Sequence, residues 1–130
     1  LSIWLIPTID DNDFKLSEDL NSFSTERLNS LREQQKAIFI NFTADWCITC
    51  KVNESIALDQ KEVKKLLDEK KIVYLKADWT KKDPEIASIL TNYGRTGVPL
   101  YLLFPAVGEA IILPELLTED LLLDFLNKIN

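Results

Sequence analysis

The sequence predicts a single α/β domain, a central mixed β-sheet flanked by helices on both faces. Three observations carry this expectation. Short apolar runs with strand character alternate with stretches of helical spacing, and the last two such runs lie close enough to form a hairpin. The 130 residues are 46% hydrophobic and free of low-complexity sequence, enough for one real core and too few for two.

Taken in order, residues 7–22 are polar and acidic (Asp10, Asp11, Asp13, Glu18, Asp19) and read as a solvated linker. Ahead of them, apolar Leu1–Ile6 precedes Pro7 in a chain that does not begin with methionine. That segment fits a fragment or processed form of something longer, and a short edge strand equally well. Residues 1–22 are therefore expected to form an N-terminal arm or linker, and residues 23–130 the domain. Ser24 is placed to cap a helix, with Phe23 and Leu28 as its hydrophobic staple. That helix, carrying Leu28 and Leu31, leads to a strand over Ala37–Phe42. The next helix begins near Cys47, with Ile48, Val52 and Ile56 on one face. Asp59 and Glu62 form a capping-box-like start for a stretch whose buried stripe is Val63, Leu66 and Leu67.

Ile72–Leu75 reads as the second core strand. Asp83-Pro84-Glu85 is a strong helix start, and Gly94 suits its left-handed stop after Ile86, Ile89, Leu90 and Tyr93. Pro99–Phe104 is a third apolar strand. A turn over Pro105–Gly108 leads to Ala110–Leu113 as its hairpin partner. Thr118 caps a last helix whose inner face is Leu122, Phe125, Leu126 and Ile129. The lysines at 61, 64, 65, 70 and 71 alternate with acids and read as a solvated helix face.

Composition excludes several classes of function. A net charge of −6 with no basic stripe argues against nucleic acid as a partner. No apolar run approaches the roughly 20 residues needed to cross a bilayer. With two cysteines and no histidine, one chain cannot complete a Cys/His zinc site, so no metal is expected.

Those two cysteines, Cys47 and Cys50, stand as C-x-x-C where a buried strand gives way to a helix. A sulfur at a helix start lies near unpaired N–H groups and the positive end of the dipole, which favours thiolate. The second sulfur, one turn on, can attack a mixed disulfide formed by the first. This arrangement is a redox switch: Cys47 is the expected nucleophile and Cys50 the resolving thiol. A structural disulfide, or two inert core thiols, is the plainer alternative.

The element order, Trp46-Cys47-x-x-Cys50 and the later Gly97-Val98-Pro99 resemble thioredoxin. Phe42–Glu54, Leu75-Lys76-Ala77-Asp78-Trp79-Thr80 and Tyr93–Tyr101 together resemble the C-terminal thioredoxin-like domain of the DsbD family, bacterial transmembrane thiol:disulfide interchange proteins. The likeness extends upstream to Phe23–Leu28 and downstream to Leu113–Thr118, and so covers about residues 23–130. It implies a thioredoxin fold and a position on the periplasmic side of the inner membrane. It also implies electrons received from a membrane-embedded thiol-disulfide domain of the same or a partner protein, and passed to periplasmic disulfide-bearing proteins or domains. No cofactor is implied, because the electrons travel as thiol pairs. Ile48-Thr49 between the cysteines has neither the histidine of a strong oxidant nor the proline of ordinary thioredoxin, so a reductant or relay is expected. The downstream substrate stays open among disulfide isomerases, cytochrome maturation factors, and peroxide- or copper-handling proteins.

The resemblance also marks supporting residues. Pro99 matches the family's cis-proline facing the cysteines; the residues alone leave cis and trans equally open. The backbone of Val98 is then free to pair with an extended substrate peptide. Trp46 is expected to shield part of the site, whereas Trp79 reads equally well as core. Glu54, seven residues past Cys47, matches an acidic position near the family's active site, or is simply a solvated helix glutamate. Asn41 is a departure, since thioredoxins and many DsbD-type domains place a buried aspartate there. Asparagine cannot take a proton at neutral pH, which leaves Glu54 or Asp45 for that task, or slower resolution. Asp78 and Lys76 receive a structural or electrostatic role outside the site. Two rival readings remain: a free-standing thioredoxin, and a non-catalytic binding module whose cysteines form a static bond or half of an intermolecular metal site.

Overall fold

The computed structural model describes residues 21–129. The arm expected over 1–22, with apolar Leu1–Ile6, lies outside the described residues except for Asn21 and Ser22. In chain order the elements are α1 (Thr25–Glu33), β1 (Ile38–Thr43), α2 (Ile48–Asn53), a π-helical turn (Glu54–Leu58), α3 (Lys61–Glu69), β2 (Val73–Asp78), α4 (Pro84–Asn92), β3 (Leu100–Phe104), β4 (Ile111–Ile112) and α5 (Glu119–Asn127). None of these helices is long and apolar enough to cross a membrane.

The sheet is mixed, in the order β2-β1-β3-β4, with β1 parallel to β2 and antiparallel to β3, and β3 antiparallel to β4. All of β1 is buried, because it lies between two neighbours and under helices on both faces. Its alternating side chains divide the core. Ile38, Ile40 and Phe42 pack with Leu75, Leu100 and Leu102 against Leu28 and Leu31 of α1 and Ile86 and Leu90 of α4. Phe39 points to the other side, among Val63 of α3, Leu122 and Leu126 of α5, Tyr101 and Leu103. The expected two-faced architecture is what forms.

Local signals act as anticipated at most ends. Ser24 accepts from Arg27 N–H at 3.0 Å, Asp83 from Glu85 N–H at 2.8 Å and Thr118 from Leu121 N–H at 3.1 Å, each opening a helix. Gly94 sits at φ +75°, the left-handed conformation that ends α4. The start of α3 differs. The helix bearing the cysteines runs on through the π-helical turn, whose Asp59 N–H donates to Glu54 O at 2.8 Å. Asp59 thus closes the preceding turn, and Gln60 opens α3 without a side-chain cap. Lys70 also leaves the solvated lysine face, and its ammonium donates to the carbonyls of Leu126 and Ile129 at the end of α5. At the free edge of β2, Lys76 N–H donates to Asn21 O and Phe23 N–H to Lys76 O, with Ser22 bridging parallel to Lys76.

Candidate active site

β1 and β2 run parallel, so their ends, Thr43 and Asp78, lie side by side at one pole of the sheet. Trp79 N–H donates to Thr43 O at 2.7 Å and ties the two strand ends together. The chain leaves β1 through Ala44-Asp45-Trp46, a turn closed by Cys47 N–H donating to Ala44 O at 3.1 Å. Cys47 is then the N-cap of α2: its backbone is extended and its Sγ accepts from Cys50 N–H at 3.1 Å. The two cysteines are joined in a disulfide, with Cα atoms 5.3 Å apart. Cys50 is fully buried, whereas Cys47 keeps 7% of its surface. Ala44 and Val98 pack against the pair, and the Val98–Pro99 peptide is cis.

Cys50, Asn53 and Ala57 form the inward face of α2 and its π-helical extension, small side chains that let the helix lie close on the sheet. Ile48, Val52 and Ile56 do share one face, but it is the outward one, and Ile48 is 80% exposed.

A partly buried polar cluster joins β1 and β2 to the residue that follows α2. Asn41, on β1, is fully buried; its Nδ2 donates to Glu54 Oε2 at 3.3 Å and to Tyr74 Oη at 2.9 Å. Thr43, two residues on and hence on the same sheet face, donates its hydroxyl to the same Glu54 oxygen at 3.0 Å. Asn41 Oδ1 has no hydrogen-bond partner among the described residues. Burial pushes the Tyr74 phenol up to about 12, its bond from Asn41 opposing and the Glu54 charge adding to the rise. Glu54 follows Cys50 by one helical turn, and its N–H donates to Cys50 O. Asn41 and Glu54 are thus brought together. Asp45 is not: it is exposed, paired with Lys51 at 3.6 Å, and only its backbone N–H turns inward, to Thr80 Oγ1 at 2.8 Å.

Trp46 remains 51% exposed beside the pair, and its Nε1–H donates to Thr80 O at 3.0 Å. Trp79 is core, with its ring 5.9 Å from that of Trp46. On the far side, buried Asn53 donates to Tyr101 Oη at 2.9 Å and Glu115 O at 2.7 Å, and accepts from Leu117 N–H at 3.1 Å. The Glu115 carboxylate pairs with Arg95 at 3.1 Å, and Arg95 donates to Pro99 O at 3.2 Å. A continuous polar bracket therefore runs from the end of α2 to the cis-proline loop.

The sequence reading gives no role to Thr43, Tyr74, Asn53, Thr80, Arg95 or Glu115. For Thr43 the signal exists, since strand alternation places it on the face of Asn41. Arg95 and Glu115 sit in loops that only the tertiary fold brings together, and no local pattern marks them.

A model of the thioredoxin-like family matches residues 19–106. The thiol:disulfide interchange protein DsbD of Vibrio cholerae is 30% identical over 115 residues, which cover 85% of this chain and 19% of that protein. DsbD of Neisseria meningitidis serogroup A is 31% identical over 86 residues, 65% of this chain and 14% of that protein. The chain thus spans less than a fifth of the length of these curated relatives. Among solved structures, the oxidised C-terminal domain of Neisseria meningitidis DsbD superposes with a TM-score of 0.68 at 26% identity, covering 84% of this chain and 98% of that one. A thioredoxin from Thermus thermophilus, 18% identical with a TM-score of 0.62 over 82% of this chain and 83% of its own, shares the fold. The chain belongs to the thioredoxin-like family, and it resembles the C-terminal domain of DsbD in both sequence and fold.

Proposed function

We propose that this chain is a thiol:disulfide exchange module that works as a protein-disulfide reductase. The observation that carries the reading is the Cys47–Cys50 disulfide at the start of α2, in which the Cys47 sulfur accepts a backbone N–H and its residue keeps 7% of its surface, whereas Cys50 is sealed. In the reduced protein, Cys47 thiolate attacks one sulfur of a partner disulfide. The Cys47–partner bond forms, the partner's own S–S bond breaks, and its second sulfur leaves as thiolate and takes a proton. Cys50 gives up its proton and attacks Cys47 Sγ. The internal disulfide closes and the partner's remaining thiol is released. Two electrons and two protons have passed to the partner, with no separate cofactor. Val98, packed on the sulfur pair, supplies the backbone against which an extended partner segment docks, with Pro99 shaping that loop.

Glu54 supports the reducing direction. It follows Cys50 by one turn, and among the described residues its carboxylate receives only neutral donors, Asn41 and Thr43. Such a charge disfavours a nearby thiolate, and a pair whose thiolate is not stabilised is the more readily oxidised one. Glu54, one helical turn from Cys50, is the carboxylate to which we assign the Cys50 proton, because Asp45 is exposed and paired with Lys51. Likeness to DsbD supports the setting: a periplasmic domain fed by a membrane-embedded thiol-disulfide domain and serving periplasmic disulfide-bearing partners.

The Cys50→Ala variant tests the reading. Its Cys47 is expected to hold a partner as a stable mixed disulfide, identified by mass spectrometry. Failure to trap any disulfide-bearing protein offered, with wild-type protein also unable to reduce one, would end it. A second expectation concerns Asn41. Asn41→Asp sets a carboxylate within hydrogen-bonding reach of Glu54, and like charges so close push one of the two pKa values strongly up. The pH profile of exchange should gain a titration above the usual carboxylate range; an unchanged profile removes Asn41 from the mechanism.

A further inference from the structure

The Lys76–Thr80 segment lies outside the reaction as written, yet its last residues close directly on the two that precede Cys47. We propose that the Asp78–Thr80 turn is a clasp for the redox site, and that Thr80 is a positioning residue that fixes how the Cys47 sulfur is presented. The inference rests on the exchange reading above.

Thr80 holds residues 45 and 46 by two separate groups. Its hydroxyl oxygen accepts from Asp45 N–H at 2.8 Å, and its carbonyl accepts from Trp46 Nε1–H at 3.0 Å. The hydroxyl has a single proton, and that proton is donated to Asp78 Oδ1, which also accepts from Thr80 N–H at 3.0 Å. Its lone pairs are thereby turned toward Asp45. Asp78 serves as a pure acceptor: the bond from the Thr80 hydroxyl, above all, holds its carboxyl below the usual range, so it is ionised at neutral pH.

The clasp is itself anchored. Trp79 N–H is bonded to Thr43 O, and Lys82 N–H to Trp79 O at 2.9 Å. The Lys82 ammonium lies over both indoles, 5.3 Å from the Trp46 ring and 4.7 Å from that of Trp79. Trp79 also borders the cis-proline loop, since a methyl placed on Gly97 would meet its Cζ3 at 3.7 Å. The turn over Ala44–Cys47 is therefore gripped from one side by a rigid loop. If that grip loosens, Cys47 Sγ drifts off the Cys50 N–H that favours its thiolate.

The test is the rate at which iodoacetamide alkylates Cys47 in the reduced protein, followed from about pH 5 to about pH 9, together with the thermal midpoint. Thr80→Val removes the hydroxyl at nearly constant volume. It should slow alkylation near neutrality by about three- to tenfold, the equivalent of one lost hydrogen bond, and move the half-point of the profile upward. Thr80→Ser, which restores the hydroxyl, should return both. A Thr80→Val protein with a lower thermal midpoint but wild-type rate and half-point overturns the proposal, as does failure of Thr80→Ser to restore them. Should Thr80→Val not fold, Trp46→Phe, which deletes the indole N–H together with the five-membered ring that carries it, must slow alkylation in the same sense; a wild-type rate overturns the clasp. Reduction of a protein disulfide by the wild type is scored separately. Its failure counts against the exchange reading, whereas equal alkylation rates count against the clasp alone.

Discussion

Asn53→Ala is expected to lower the unfolding free energy by about 3 to 4 kcal/mol, near the low end of the sum of three penalties of about one to three kcal/mol each for groups left without partners. The amide occupies a fully enclosed position and meets three groups from distant parts of the chain: Tyr101 Oη, Glu115 O and Leu117 N–H. Alanine strands all three and leaves a space too small to rehydrate them fully. Against a total of about 5 to 15 kcal/mol for an ordinary domain, the loss is large. Urea unfolding of the oxidised protein measures it, and a change below about 1 kcal/mol would mean that water substitutes for the amide. Because the bracket continues through Glu115 and Arg95 to Pro99 O, exchange rate should fall along with stability.

Alkaline destabilisation by about 5 kcal/mol is the second large effect. Burial pushes the phenols of both Tyr74 and Tyr101 up to about 12; the amides of Asn41 and Asn53 oppose this and the charge of Glu54 adds to it. An unfolded tyrosine releases its proton near pH 10, whereas these two hold theirs until about 12. The stabilisation is therefore complete below the unfolded value and is lost as pH rises through the folded one. Each tyrosine contributes about 1.4 kcal/mol per pH unit across that window. Urea midpoints taken across it should fall steadily, and Tyr74→Phe should roughly halve the slope. A flat curve up to the folded value would remove both phenols from the account.

Much of this was legible in the residues, and the boundary is instructive. Ser24, Asp83 and Thr118 declare helix starts through short-range chemistry, and each caps as read. Cys47 and Cys50 declare themselves because their spacing is set by one helical turn. Asp59 misled, because a π-helical turn changes the phase of a helix without altering the local pattern of residue types. Ile48, Val52 and Ile56 were legible as one face, but not that it is the outward one. Helical spacing identifies a face, but only the packing partner decides which face turns inward, and here small Cys50, Asn53 and Ala57 take that side. Asn41 and Glu54 could be named but not joined, since their bond spans β1 and the π-helical turn. Arg95, Glu115 and Thr80 act across loops, where the sequence holds no period to read.

The strip Asn21-Ser22-Phe23 has a mechanical consequence. It lies along β2 and runs in the same direction, so the polypeptide arrives there heading toward the pole where Cys47 sits. A load applied at Asn21 would therefore be borne along β2 and taken up at Phe23, which is buried in the core.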